Sequence, residues 1–148
     1  MIAVIQRVSF ASVRVKTEII TKIDAGLVVL LGIKKGDNEI NGKLLAKKTV
    51  DLRIFQDGMN KMNLSVKDIN GEILVISQFT LCTDNNKSGN RPSFTKAEEP
   101  LNANILYKKF INELKDYYNE DKIFSGVFAE DMSVNIVNEG PVTITLEK

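Results

Sequence analysis

The chain has 148 residues, 43% hydrophobic and 26% charged, with a formal net charge of +1. That length fits one domain able to bury roughly two thirds of its unfolded surface, and the near-neutral balance gives no global charge argument for a polyanionic partner. There is no histidine and only one cysteine, Cys82, which excludes an internal disulfide, cysteine metal clusters, Ser-His-Asp and Cys-His arrangements, and the commonest general base near neutral pH.

The N-terminal run "MIAVIQRVSF" holds Gln6 and Arg7 and reads as a strand, not a signal peptide. The longest apolar stretch, "GLVVLLGI", is far too short to span a bilayer, so a cytoplasmic protein is expected. β-Branched content and glycine punctuation predict strands over 2–8, 12–16, 18–23 and 27–33. Asp37 or Asn38 then caps a helix running toward Val50, with Ile40, Leu44 and Leu45 on one face. A short strand "LRIF" (52–55) follows, then a polar loop and a hairpin turn at Asn70-Gly71.

The run "EILVISQFTL" is almost continuously apolar, as in a central strand covered on both faces, and "CTDNNKSGNRPSF" reads as loop. A second helix is predicted from about Leu101 to Tyr118, with Leu106, Phe110, Leu114 and Tyr117 at helical spacing. "KIFSGVF", "MSVNIV" and "VTITLEK" read as three more strands. Without a repeat or linker, residues 1–148 form one mixed domain.

Several short motifs admit either a structural or a functional role. Ser77, Gln78 and Thr80 stand where a central strand emerges into a loop, a common place for groups that face a ligand, although such groups also simply bond neighbouring backbone. Cys82 lacks a histidine to activate it and is expected to be a packed side chain. Arg91 in "RPSF" is available for phosphate, and Lys87 to Arg91 form a local basic loop. Gly140-Pro141 interrupts two β-branched runs, as a turn, an edge or a deliberate irregularity.

"QRV", "ASV", "GLVVLLGI", "LRIF", "KMNLS", "SQFTL", "GNRPSF" and "NEGPVT" occur in an order and spacing that resemble the D-aminoacyl-tRNA deacylase (D-tyrosyl-tRNA deacylase) family, over essentially the whole chain. The resemblance implies an α/β fold of three layers, α/β/β, with a curved, barrel-like mixed sheet and two main helices. It implies a homodimeric hydrolase without metal or organic cofactor that cleaves the ester joining a D-amino acid, or glycine, to the 3′ end of tRNA. Neither membrane nor DNA is an expected partner.

By the same resemblance Gly140-Pro141 is a cis peptide that enters the partner subunit's pocket and rejects L substrates. Ser77, Gln78, Phe79 and Thr80 line that pocket, and Ala103, Phe128 and Met62 join the substrate-binding residues. The chain departs from the family pattern at Glu139, where Asp is usual, and at Ala129-Glu130 in "FAEDM", where Gly follows the Phe. With no histidine, backbone N–H groups near Phe79 and Thr80 are expected to stabilise the oxyanion, with Thr80 as covalent nucleophile the runner-up. A noncatalytic RNA-end or nucleotide-binding dimer and a purely structural domain are the rivals from other classes.

Overall fold

The computed structural model describes residues 1–84 and 90–148, so Lys87 of the basic loop lies outside the described residues. Eight strands and two helices follow one another as β1 (Ile2–Val15), β2 (Glu18–Ile23), β3 (Gly26–Gly32), α1 (Glu39–Val50), β4 (Phe55–Gln56), β5 (Met62–Leu64), β6 (Glu72–Ser77), α2 (Pro100–Tyr117), β7 (Ile123–Ser125) and β8 (Met132–Glu147). The main sheet runs β2-β1-β3-β6-β7, with β8 along the other edge of β1. β3, β6 and β7 are parallel, whereas β1 is antiparallel to β2, β3 and β8, giving the expected mixed sheet.

β1 is one strand where two are expected. Its first half pairs with β3 and its second half with β2, while β8 follows it throughout with register shifts between Gln6 and Val8 and between Val8 and Phe10. Such bulges bend a strand and sharpen its twist. The sheet consequently curls on itself and encloses two cores. Ala3, Ile5, Val29, Ile73 and Val75 face the helices with Leu45, Leu106 and Phe110. Val8, Ala11, Val13, Val28, Leu74 and Ile76 pack inside the curl against Val134 and Ile136. This is the three-layer, barrel-like arrangement, and alternate residues of β6 serve both cores, as its unbroken apolar run implies.

Asn38 caps α1 by accepting from the amides of Ile40 and Asn41. The helix buries Gly42, Leu45, Ala46, Thr49 and Val50, whereas Ile40 and Leu44 are 69% and 52% exposed. The expected shared face of Ile40, Leu44 and Leu45 is therefore corrected: at 100° per residue Leu45 falls with Gly42 and Thr49, and Ile40 and Leu44 form a separate outer stripe. α2 packs Leu106, Phe110 and Leu114 inward as expected. Asn70, with φ of 51°, makes a turn at Gly71, but it leads into the parallel strand β6 and not into a hairpin. The hairpin of this region lies earlier, between β4 and β5, and the "LRIF" strand begins only at its last residue, Phe55.

Candidate active site

β6 ends at Ser77, where Gln78 takes φ −141° and ψ 79° and the chain turns into a single 3₁₀ turn, Phe79–Cys82. The expected strand thus stops four residues early. The break follows from anchoring: the Gln78 amide donates to Leu31 O at 2.8 Å and the Leu81 amide to Gln78 O at 3.2 Å, closing a turn that aims residues 78–80 away from the sheet. The amides of Phe79 and Thr80 find no backbone acceptor among the described residues. Two donors at the start of a helical turn are thereby left without a backbone partner.

Beside this turn opens a cavity of about 560 Å³. Ser77, Gln78, Phe79, Ala103 and Phe128 all line it, so five of the expected site residues converge from β6, α2 and the segment before β8. Ala103 enters through the first turn of α2, which starts with Pro100 in its favoured place. Phe128 is held against Tyr107, ring centroids 5.6 Å apart, and Tyr107 in turn donates to Val75 O at 2.9 Å. Burial raises the Tyr107 phenol well above its ordinary pKa, so it is a neutral donor that ties α2 to β6. Phe79 is exposed but meets Phe94 edge-on at 5.1 Å.

Thr80 stands outside the cavity lining; its hydroxyl accepts from Gln78 Nε2 at 2.5 Å and its carbonyl from the Thr83 hydroxyl. No general base contacts it among the described residues. Cys82 is buried, its thiol donates to Ile33 O at 3.4 Å, and burial pushes its pKa up, as suits a packed side chain and not a nucleophile. Arg91 is exposed. No group of three or more metal-ligating side chains occurs among the described residues.

Ala129, also in the cavity wall, has φ of 63°. An alanine therefore occupies a left-handed conformation that glycine adopts freely. Ala129→Gly is expected to stabilise the protein by about 0.5–1 kcal/mol, the relief of left-handed strain less the extra chain entropy of glycine. Urea denaturation reads this directly; a loss of stability would mean that the alanine methyl packs favourably there.

Gly140, Pro141 and Met62 are absent from the cavity. β8 is continuous through Gly140-Pro141 where two strands are expected, yet Asn138 pairs with Val8 and Thr143 with Gln6, so the intervening residues of β8 bulge out. The Gly140-Pro141 peptide is cis, and both residues are exposed. Asn138 closes the bulge, its Oδ1 accepting from the Val142 amide at 2.9 Å and its Nδ2 donating to the Thr143 hydroxyl at 3.1 Å. Arg7, in the opposing bulge of β1 and only 6% exposed, donates through Nε to Glu139 O at 3.1 Å and through Nη1 to Ile54 O at 2.6 Å.

Glu139 thus contributes its backbone carbonyl to this lock, and its side chain stays exposed. Arg7 also ties the tip to the β4–β5 hairpin, where Met62 is 56% exposed and Asp57 accepts from the amides of Met59 and Lys61. Those bonds, and first of all the one from Asn63 Nδ2, lower the Asp57 pKa. Arg7 and Asn138 are positioning residues that motif reading missed. The visible signal was a charged side chain inside the apolar alternation of β1.

Comparisons with known proteins bear on the family and the fold. A family model described as D-Tyr-tRNA(Tyr) deacylase matches residues 4–147. The chain is similar to a D-aminoacyl-tRNA deacylase of Flavobacterium psychrophilum, 48% identical over 99% of this chain and 97% of that one, and to one of Dictyoglomus turgidum, 50% identical over 99% and 92%. Its structure is similar to that of a c-Myc DNA Unwinding Element Binding Protein, with TM-score 0.94 and 41% identity over 100% of this chain and 99% of that one. A probable eukaryotic D-amino acid tRNA deacylase shares the fold at TM-score 0.84 and 13% identity, over 99% and 98% of the two chains. By its matched length, its relatives and its fold, the chain belongs to the D-Tyr-tRNA(Tyr) deacylase family.

Proposed function

We propose that the protein hydrolyses the ester between a D-amino acid, or glycine, and the 3′ end of tRNA, and that it does so as a cytoplasmic homodimer with two composite sites. One observation carries the composite site: neither Gly140 nor Pro141 lines its own chain's cavity, and Val134, the cavity-wall residue of β8 nearest the tip, is six residues before Gly140, at most roughly 20 Å of strand. That separation supports a tip that serves a cavity other than its own. In a two-fold dimer each tip meets the partner's cavity, and two equivalent sites form.

In that site the Gly140 and Pro141 carbonyls accept from the substrate α-ammonium group. An L side chain would collide with the tip, a D side chain projects away from it, and glycine passes. Apolar pocket contacts alone distinguish ligands by only about 1–3 kcal/mol per methylene, so a rigid backbone is the stronger filter. The amides of Phe79 and Thr80 donate to the developing oxyanion. Water, oriented by the terminal 2′-hydroxyl of the RNA, adds to the ester carbon; the tetrahedral species collapses, the ribose 3′-oxygen leaves with a proton, and free amino acid and tRNA result.

On this reading Thr80→Ala loses at most the roughly 0.5–1.5 kcal/mol of one hydrogen bond, up to about twelve-fold in rate. A collapse of turnover with folding and RNA binding intact would instead make Thr80 the nucleophile. The function itself is tested by incubating the protein with matched D- and L-aminoacyl-tRNA. Release from the D ester alone supports it. A second reading, a noncatalytic binder of nucleic-acid ends, draws on the DNA-binding name of one structural relative; it predicts no release, with protection of the bound end.

A further inference from the structure

We propose that an open basic groove, between the last turn of α1, residues 51–53 and the end of β8, carries the sugar–phosphate backbone of the RNA; this rests on the tRNA reading above. Lys47, Lys48, Arg53 and Lys148 line the groove against a single carboxylate, Asp51. That carboxylate is already shared: Lys47 Nζ lies 2.6 Å from one oxygen and Lys67 Nζ 2.5 Å from the other. These bonds, the one from Lys47 first, hold the Asp51 pKa below its ordinary value, so it stays ionised and its charge is neutralised locally. What remains in the groove is Lys48 and Lys148, with Arg53 beside them, on a chain whose overall charge is only +1.

The groove leads to the tip. Lys148 directly follows β8, the strand that carries Gly140, and Arg53 precedes Ile54, whose carbonyl Arg7 binds while holding Glu139 beside the tip. Arg53 is itself fixed, donating through Nε to Asn63 O at 2.6 Å. From Thr143, where β8 resumes its pairing with β1 beyond the bulge, to Lys148 the chain spans roughly 16 Å of strand, and phosphates of one strand recur at roughly 3.4 Å of helix axis. The groove can thus follow several phosphates of a strand whose 3′ end has been handed to a cavity by the neighbouring tip. Three cations, Lys48, Arg53 and Lys148, gathered along one open groove suit a polyanion better than a single phosphate.

The test compares tRNA with a minimal substrate, the D-tyrosyl ester of adenosine. In a Lys48→Gln/Lys148→Gln variant, uncharged tRNA should bind about ten-fold more weakly at low salt, and the slope of log affinity against log salt should flatten by about one to two units. Hydrolysis of the minimal ester should stay within two-fold of the parent. Neither lysine has an ion-pair partner among the described residues, so folding is not at stake. Lys35→Gln, on the cavity side where the Lys35 amide bonds Lys96 O, should change neither quantity. An unchanged affinity and slope in the double variant, or an equal loss in Lys35→Gln, would overturn the groove. Because binding is read with uncharged tRNA, failure of the parent to cleave the minimal ester would count against the hydrolase reading and leave the groove result standing.

Discussion

Gly140→Ala should abolish nearly all turnover, by about 100-fold or more, while the protein still folds. The cause is local: Gly140 has φ of 123°, which L side chains rarely adopt, and a Cβ there would lie 2.8 Å from Val142 Cγ2 and 2.9 Å from Arg7 Nη2. Relief of either contact moves the tip or releases Arg7, the group that holds Glu139 to Ile54. Misplacement of a positioning group by about 1 Å can cost 10²-fold, about 2.7 kcal/mol of barrier. Stability should fall only by the roughly 1–2 kcal/mol of a strained backbone, because Gly140 and Pro141 are exposed and neither belongs to a core, although Val142 beside them packs against one. Steady-state kinetics with D-aminoacyl-tRNA beside a urea melt separates the two effects. Turnover within a few-fold of the parent would mean that the tip takes no part in the reaction.

Gly26→Ala is expected to have the largest effect on stability, about 3 kcal/mol or more. Gly26 opens β3 opposite Glu72 of the parallel strand β6, and an added Cβ would stand 1.9 Å from Glu72 O and 2.7 Å from its C and N. Those are backbone atoms at the start of two paired strands and have no rotamer through which to yield, so the strands must separate there. Overpacking of a well-filled interior typically costs about 1–3 kcal/mol and more where nothing can move. β3 and β6 also bring Leu31, Ile76 and Ser77 to the cavity, so residual folded protein should bind substrate poorly. The midpoint of urea unfolding is the readout, and a shift worth less than about 1 kcal/mol would show that the strands have more freedom than their packing implies.

What could be read in advance depended on which signals were local. The alternation of β1, the continuous apolar run of β6 and the spacing of Leu106, Phe110 and Leu114 are properties of short windows, and they foretold a mixed sheet backed by helices. The bulges were not legible. A bulge at Arg7 is defined by what β8 does opposite it, and β8 is more than 120 residues away in sequence; hence β1 and β8 were each divided in two. The Asn70-Gly71 turn has hairpin chemistry, but the strands it joins have other partners, and pairing overrides turn preference. Ile40 and Leu44 share helical spacing with each other but not with the buried stripe, which needed the position of α2 to be identified.

The site followed the same division. Ser77 and Gln78 are legible at a strand end, Phe79, Ala103 and Phe128 enter only through the family resemblance, and the fold brings all five around one cavity. The role of Arg7 and Asn138 in locking the tip was invisible, because neither acts through its neighbours in sequence. Gly140-Pro141 is the instructive case: the motif marked an irregularity, and only the fold shows that the irregularity stands far along β8 from the cavity of its own chain.

The claim that two protomers build each site is tested most directly by mixing two defective chains. One carries Gly140→Ala and has an intact cavity; the other carries Ala103→Phe, which fills the cavity where Ala103 lines it, and has an intact tip. Each alone should be nearly inactive. After dissociation and random reassociation, half of the dimers are mixed, and each mixed dimer holds one complete site of two, so about a quarter of the parental activity on D-aminoacyl-tRNA should return. No recovery above either parent, with mixed dimers demonstrated by native mass spectrometry, would place the whole site within one chain and contradict the account.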